Sequence, residues 1–565
     1  MSRESVQTKL KRVRPPQVHL TYDVEVGGAI ENKELPFVVG VLCSLSGMPD
    51  EPLPKLRDRK FVEIDLDNFS GVVAAMKPRL TFTVDNLISG GDSKLTVELH
   101  FRDIRDFEPM QVIGQVKPLT ELLEKRTRLT SDKKEVDENN LELGNIDDLI
   151  SRQLNLIMHA PAFQELEASW RGLHYLVSMT ETGTMLKIRV LNVSKKELLK
   201  DFERVAEIDQ SNLFKKIYEE EYGTWGGQPF GALIGDYEFG NHPQDLALLE
   251  DLSQLAATAQ APFISGASPH IFGWDSFVEM TEVRDLAKIF DRAEYMKWRS
   301  FRETEESRYV GLTLPRILMR SSYEVRPTPD LTFQFTERLE GGERHFLWGN
   351  AAYAFGACLT NAFAKYYWCA SIRGVEGGGL VVGLPTDTSM TDEGNVALKC
   401  PTEIAITDRR EKEFSDLGFI PLVHCKNTEY AAFFGAQSCQ KPKKYDLDVP
   451  NANARLSTQL QYIFAVSRFA HYLRVIMRDK VGSFMGRGEC ERFLNGWISN
   501  YVSVDDTASL VVKAQFPLRE ARIDVAEVPG KPGTYRAVVF LRPYFQLDEL
   551  TVSLRFVVDL PPPAH

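Results

Sequence analysis

The chain has 565 residues, more than one hydrophobic core organises, and its 43% apolar content is ample for packed bodies, so a disordered protein is excluded. Its net charge of −12 at pH 7 argues against a nucleic-acid partner, which calls for a basic face, and no stretch approaches the roughly 18 apolar residues of a membrane span. The 7 cysteines are odd in number and form no C-x-x-C pair, which reads as buried thiols of a cytoplasmic protein, and Met1 to Ser5 opens no apolar signal core.

The first patterned stretch, Val18 to Val26, alternates apolar and polar residues and places Val18, Leu20, Tyr22, Val24 and Val26 on one face of a strand. Its flanks, Lys9 to Pro16 and Gly27 to Glu34, are charged or turn-prone and offer no hairpin partner. Such a strand either docks on its own domain's sheet or forms an arm, residues 17–26, that adds to a neighbouring subunit's sheet. Leu35 to Leu42 follows as a buried strand, then a polar turn from Lys55 enters a strand ending at Ile64. A short helix from Phe69 to Met76 stops before Pro78, and Leu80 to Val84 pairs with Leu95 to Phe101 around Gly90 to Ser93, completing a small α/β unit. From Glu108 to Arg128 one helix is expected, with Val112, Val116, Leu119, Leu122 and Leu123 forming an apolar face that must dock on something.

Residues 130–144 are the best linker candidate, because Thr130 to Asn140 is charged and nearly devoid of apolar side chains. Helices at Ile146 to Leu156 and Ala162 to Val177 come next, followed by a strand at Met185 to Val193 and a helix at Lys195 to Val205. Strands at Phe230 to Gly235 and Ala261 to Ser265 flank a helix at Pro243 to Gln260. This order predicts an α/β fold, a mixed sheet with helices on its faces. A buried helix spans Trp348 to Tyr367. The chain closes with a strand pair within 534–558, Tyr535 to Leu541 and Leu550 to Val558, whose apolar face includes Leu550, Val552, Leu554 and Phe556 and which leaves an open edge.

No catalytic constellation emerges. The turn Gly374 to Gly379 lacks both the Lys-Ser/Thr ending of a P-loop and the G-x-G-x-x-G spacing, and reads as a tight backbone crossing. The histidines lack H-E-x-x-H spacing, and His424-Cys425 would point to opposite faces of a strand. No G-x-S-x-G elbow occurs, and Thr402 to Glu411 reads as a salt-bridged or solvated face. No catalytic residue, cofactor or metal is assigned, which shifts weight toward an assembly protein.

Longer runs carry more specific information. Arg12-Val13-Arg14-Pro15-Pro16, Leu35-Pro36-Phe37-Val38-Val39-Gly40-Val41 and Lys55-Leu56-Arg57-Asp58-Arg59-Lys60-Phe61 resemble the small subunit of the type VI secretion contractile sheath, TssB or VipA. Leu166-Glu167-Ala168-Ser169-Trp170-Arg171-Gly172-Leu173, Ile234-Gly235-Asp236-Tyr237-Glu238-Phe239, Trp348-Gly349-Asn350-Ala351-Ala352-Tyr353-Ala354-Phe355, Arg373 to Gly379 and Gln546-Leu547-Asp548-Glu549-Leu550-Thr551-Val552-Ser553 resemble the large subunit, TssC or VipB. The resemblance divides the chain into a small part at 1–129, a junction at 130–144 and a large part at 145–565. It implies a phage-tail-sheath-like fold with strand addition between subunits, and a helical polymer of small-large units around an Hcp tube. It also implies a baseplate, a ClpV-type unfoldase for disassembly, and a bacterial cytoplasmic location anchored to the envelope. The face of Val112 to Leu123 becomes the expected contact between small and large parts. The helix Tyr462 to Lys480 is nominated to face the tube through Arg468, Arg474, Arg478 and Lys480. The alternatives are a static capsid-like shell, or an enzyme with a site near 374–379.

Overall fold

The computed structural model describes residues 20–26, 29–89, 92–131, 140–324, 333–338, 346–386, 388–390, 396–398, 400–426, 428–446, 448–479, 486–503, 505, 516–527, 535–543 and 554–559. Its centre is the strand Phe37–Cys43, seven residues that are all buried, the unbroken apolar run that a strand covered on both faces requires. Val39 pairs with Ile188 on one side and Ala232 on the other. Across the nine-stranded sheet the order is Leu380–Val381, Ala431–Phe433, Ile420–His424, Val310–Leu314, Phe263–Ala267, Phe230–Phe239, Phe37–Cys43, Leu186–Asn192 and Val62–Ile64. The six strands from Ile420–His424 to Leu186–Asn192 are parallel, and short antiparallel strands close both edges. Helices Pro161–Ser178, Pro243–Ala259 and Ala352–Tyr366 pack on this sheet or on one another. The first two begin with proline at the position where the missing N–H costs nothing. The fold is thus mixed α/β, as the alternation of elements implies.

Phe37–Cys43 and Val62–Ile64 therefore do not belong to a separate small unit. The hairpin Arg79–Asp85 with Lys94–His100, by contrast, forms its own two-stranded sheet. A strand buried on both faces cannot be supplied with neighbours by so short a segment.

The helix expected over Glu108 to Arg128 is two helices, Pro109–Gln115 and Lys117–Ser131, broken where Val116 turns extended at φ −104° and ψ 101°. Pro118 is the reason, since in a continuous helix its ring would collide with the carbonyl of Gly114 and it has no N–H to donate there. Val112, Val116 and Leu119 are nevertheless buried in the main core, and Leu122 and Leu123 pack against it partly buried.

A second core lies over the helices Leu460–Asp479 and Arg487–Ser499 and an antiparallel sheet of Leu518–Glu527, Tyr535–Pro543 and Leu554–Asp559. Phe469, Tyr472, Leu473, Ile476, Leu494, Ile523, Val525, Val539 and Leu541 fill it. The helix Leu460–Asp479 borders both cores, since Leu460, Ile463 and Phe464 belong to the first.

The glycine turn is the backbone crossing expected from its sequence. Gly378 has φ +91°, and a Cβ there would lie 2.1 Å from the Ser371 carbonyl oxygen, while one on Gly379 would lie 2.4 Å from that of Phe433. Gly374 N–H donates to the Phe433 carbonyl (2.7 Å) and Phe433 N–H donates to that of Gly379 (2.9 Å), which holds the sheet edge. Gly378→Val should cost about 2 kcal/mol or more through strained φ and backbone overlap. Thermal unfolding of the variant measures this, and an unchanged midpoint contradicts it.

Candidate functional site

In a sheet of this strand order the usual ligand position is the crevice at the carboxyl ends of Phe37–Cys43 and Phe230–Phe239, where the connections reverse direction. Here the chain's own side chains occupy that end. The Asn192 side chain accepts from Leu45 N–H (2.9 Å) and donates to Ser46 Oγ (2.7 Å), Trp170 Nε1 donates to the Leu45 carbonyl (3.1 Å), and Lys195 Nζ donates to the Glu238 carbonyl (2.6 Å). Among the described residues no group of three or more His, Cys, Asp or Glu is placed to hold a metal ion, and no helix is long and apolar enough to cross a membrane. The notable geometry lies elsewhere, where the N-terminal segment meets the C-terminal module.

Tyr22–Val26 does have a local partner, which corrects the reading of an isolated strand. It pairs antiparallel with Ala29–Lys33, from Tyr22 opposite Lys33 to Val26 opposite Ala29. Two residues separate the strands, and Gly27-Gly28 is a known two-residue hairpin signal that outweighs the weak strand propensity of Ala-Ile-Glu-Asn-Lys. Val24 and Val26 lie in this hairpin, and Val18 lies outside the described residues.

The root of the hairpin is seated on the C-terminal module of its own chain. Leu20, Tyr22 and Leu35 are buried in that module's core. The Tyr22 ring meets the Tyr472 ring edge-on at 6.0 Å. Burial, then the neighbouring Asp479 carboxylate to which it bonds, pushes the Tyr22 hydroxyl up to about 12. Tyr501 Oη accepts from Thr21 N–H (3.0 Å) and donates to the Thr21 carbonyl (2.9 Å), which also accepts from Trp497 Nε1 (2.9 Å). Just after the returning strand, Leu35 N–H donates to Tyr472 Oη (2.8 Å), and Arg468 donates to the carbonyls of Pro36 (3.0 Å) and Leu35.

These contacts correct the tube-facing nomination. Arg468 and Arg474 are buried, the latter donating to the Thr258 carbonyl, and Arg478 pairs with Asp479 (2.9 Å) and donates to the Thr224 carbonyl (3.0 Å). A helix bordering two cores has little free face, so its cations are spent on carbonyls that would otherwise be buried unpaired. Lys480 lies outside the described residues. Likewise the charged cluster at Thr402 to Glu411 is not wholly solvated, since Thr402 and Glu403 are buried and Glu403 lies 3.8 Å from Arg316.

At the C-terminus, Leu554 and Phe556 lie on the last strand opposite Leu541 and Val539, whereas Leu550 and Val552 fall outside the described residues. Sequence reading missed the third strand, Leu518–Glu527, in which Arg, Glu and Asp crowd the apolar positions Leu518, Ile523 and Val525. It also missed the aromatic seat of Tyr472, Trp497 and Tyr501. Trp497 and Tyr501 stand four residues apart at the end of a helix, a usable signal of one shared face.

A buried ion network joins His159 and Glu167 to Arg320 and Glu337. Arg320 grips Glu337 with two nitrogens (2.6 and 2.9 Å) and reaches Glu167 (3.1 Å), while His159 donates to Glu337 (2.9 Å). Burial alone would raise the Glu337 carboxyl, but the bonds from His159 and Arg320 and the guanidinium charge hold it down at about 2.

Comparison with known proteins gives these parts a family. Residues 10–157 match the family described as "Type VI secretion system, VipA, VC_A0107 or Hcp2", residues 141–440 match "EvpB/VC_A0108, tail sheath N-terminal domain", and residues 449–560 match "EvpB/VC_A0108, tail sheath gpW/gp25-like domain". The type VI secretion system sheath protein TssC1 of Pseudomonas aeruginosa is 52% identical over 420 residues, which are 74% of this chain and 84% of that protein. TssB1, a sheath protein of the same organism, is 44% identical over 130 residues, 23% of this chain and 75% of that protein. The chain therefore belongs to the type VI secretion system sheath family, a TssB-like part and a TssC-like part in one polypeptide, and is a structural component of that sheath.

Proposed function

We propose that the chain is the protomer of a helical sheath that polymerises around a tube of Hcp-like rings and contracts to propel the tube and its effectors into target cells. It acts in the bacterial cytoplasm, with a baseplate at its envelope-anchored end and a ClpV-type unfoldase to recycle it. Its work is mechanical, without catalysis or cofactor, and neighbouring protomers are joined by strand addition between the arm and the C-terminal sheet. The observation that carries this reading is that two open edges border one helix. The hairpin Tyr22–Val26 with Ala29–Lys33 is two-stranded, an arrangement of marginal stability alone, and Leu554–Asp559 pairs on one side only among the described residues. Both belong to elements that touch the helix Leu460–Asp479.

Within the protomer we assign 1–129 to the small part, 130–144 to the junction and 145–565 to the large part. Val112, Val116, Leu119, Leu122 and Leu123 form the contact between them. The burial of Val112, Val116 and Leu119 with Ile146, Ile150 and Leu154 in one core, against which Leu122 and Leu123 pack partly buried, supports that assignment, as does the bond from Arg126 to Asp147 (2.5 Å). Electron microscopy of the purified chain tests the proposal. Hollow tubes with a contracted helical lattice are expected, closed shells would indicate a static capsid-like assembly, and monodisperse particles would return weight to an enzyme.

A further inference from the structure

The arm is held at both of its ends by one surface, and this surface decides where a pull on the arm goes. Just before the hairpin, Thr21 has both backbone groups bonded by side chains, its N–H by Tyr501 and its carbonyl by Tyr501 and Trp497. Just after it, Leu35 has its N–H bonded by Tyr472 and its carbonyl by Arg468, which also takes the Pro36 carbonyl. All four side chains lie on or directly after the two helices of the C-terminal module. The next residue, Phe37, opens the strand at the heart of the nine-stranded sheet. Buried backbone polar groups outside a sheet ladder must find partners, and here both groups of Thr21, both groups of Leu35 and the Pro36 carbonyl find theirs on this module. Arg468 is itself held rigid, its guanidinium lying 5.2 Å from both the Phe363 and Tyr472 rings.

We propose that Tyr501, Trp497, Tyr472 and Arg468 form a two-point clamp. The clamp makes the arm and the C-terminal module one mechanical body, so that tension from a neighbour enters the helix Leu460–Asp479 and is kept off the strand Phe37–Cys43. The four are positioning residues for passing on motion between protomers, and their role rests on the strand-addition reading above. Without the clamp, a pull through Leu35-Pro36 would run along the backbone directly into the central strand.

Hydrogen exchange on the full chain resolved at single amides, combined with a contraction assay, tests this. In the native chain the amides of Thr21 and Leu35 should exchange slowly although neither lies in a strand. Tyr501→Phe should speed exchange at Thr21 at least tenfold and Tyr472→Phe at Leu35, while Val38 to Leu42 keep native rates and unfolding stays cooperative. Both substitutions keep the ring and remove only the hydroxyl. The double variant should build tubes in native yield yet contract several-fold less often, because the clamp sets how motion is passed on and leaves the pairing strands unaltered. Unprotected Thr21 and Leu35 amides in the native chain, unchanged exchange in the variants, or native contraction frequency in the double variant each overturn the clamp. A native chain that forms no tubes overturns the assembly reading, and the exchange rates still decide the clamp.

Discussion

Arg320→Met is expected to destabilise the chain by about 3 kcal/mol, because it removes the cation shared by two buried carboxylates and leaves Glu167 only Arg171 and Glu337 only His159. The loss is mostly that of stranded charge and not of packing, so Glu167→Gln and Glu337→Gln added to Arg320→Met should recover part of it. Urea unfolding measures both, and a loss below about 1 kcal/mol would show that the network is solvated in practice. The same network sets an acid limit. The Glu337 carboxyl, ordinarily near 4.5, is held at about 2 in the folded chain, so its contribution is full above 4.5 and is lost as pH falls toward 2. That contribution amounts to about 3 kcal/mol, and Glu337→Gln should flatten the stability profile in this window.

Val24→Pro is expected to abolish polymer formation while leaving both cores folded. The residue sits at the centre of Tyr22–Val26, opposite Glu31, where proline fixes φ and removes an N–H that either the hairpin or an added strand needs. Circular dichroism should stay native and electron micrographs should lose tubes. A collapse of the dichroism would mean that the strand serves its own body. Two or three residues inserted after Lys33 add up to about 3.3–3.6 Å of slack each, between the hairpin and the clamp at Leu35. Such sheaths should assemble extended and contract poorly.

Much of the fold is legible in the sequence because burial there follows simple periods. The run Leu35 to Leu42 announces a two-sided strand, Phe69–Met76 ends where Pro78 requires, and Pro161 and Pro243 open the helices they begin. What escaped the reading depends on partners distant in sequence. Arg468 has the look of a surface cation until the carbonyls of Leu35 and Pro36, more than 430 residues away, are brought beside it. Periodicity also says nothing about Pro118 until the helix it interrupts is built, and the apolar steps from Val112 to Leu123 continue through the break. In Leu518–Glu527 the strand signal is diluted by charges that face solvent, and in Ala29–Lys33 it is nearly absent and the two glycines carry it. The candidate site is made of such distant meetings, so its residue types could be named in part while its geometry could not.

The proposed sheath requires the arm of one protomer to complete the C-terminal sheet of another. An electron cryomicroscopy reconstruction of the assembled tube at side-chain resolution tests it most directly. The 22–26 segment of one chain, or the residues just before it, should run within hydrogen-bonding distance of an edge strand, Leu554–Asp559 or Leu518–Glu527, of a neighbouring chain. Tubes in which every arm pairs only within its own chain, with neighbours touching through side chains alone, would contradict it.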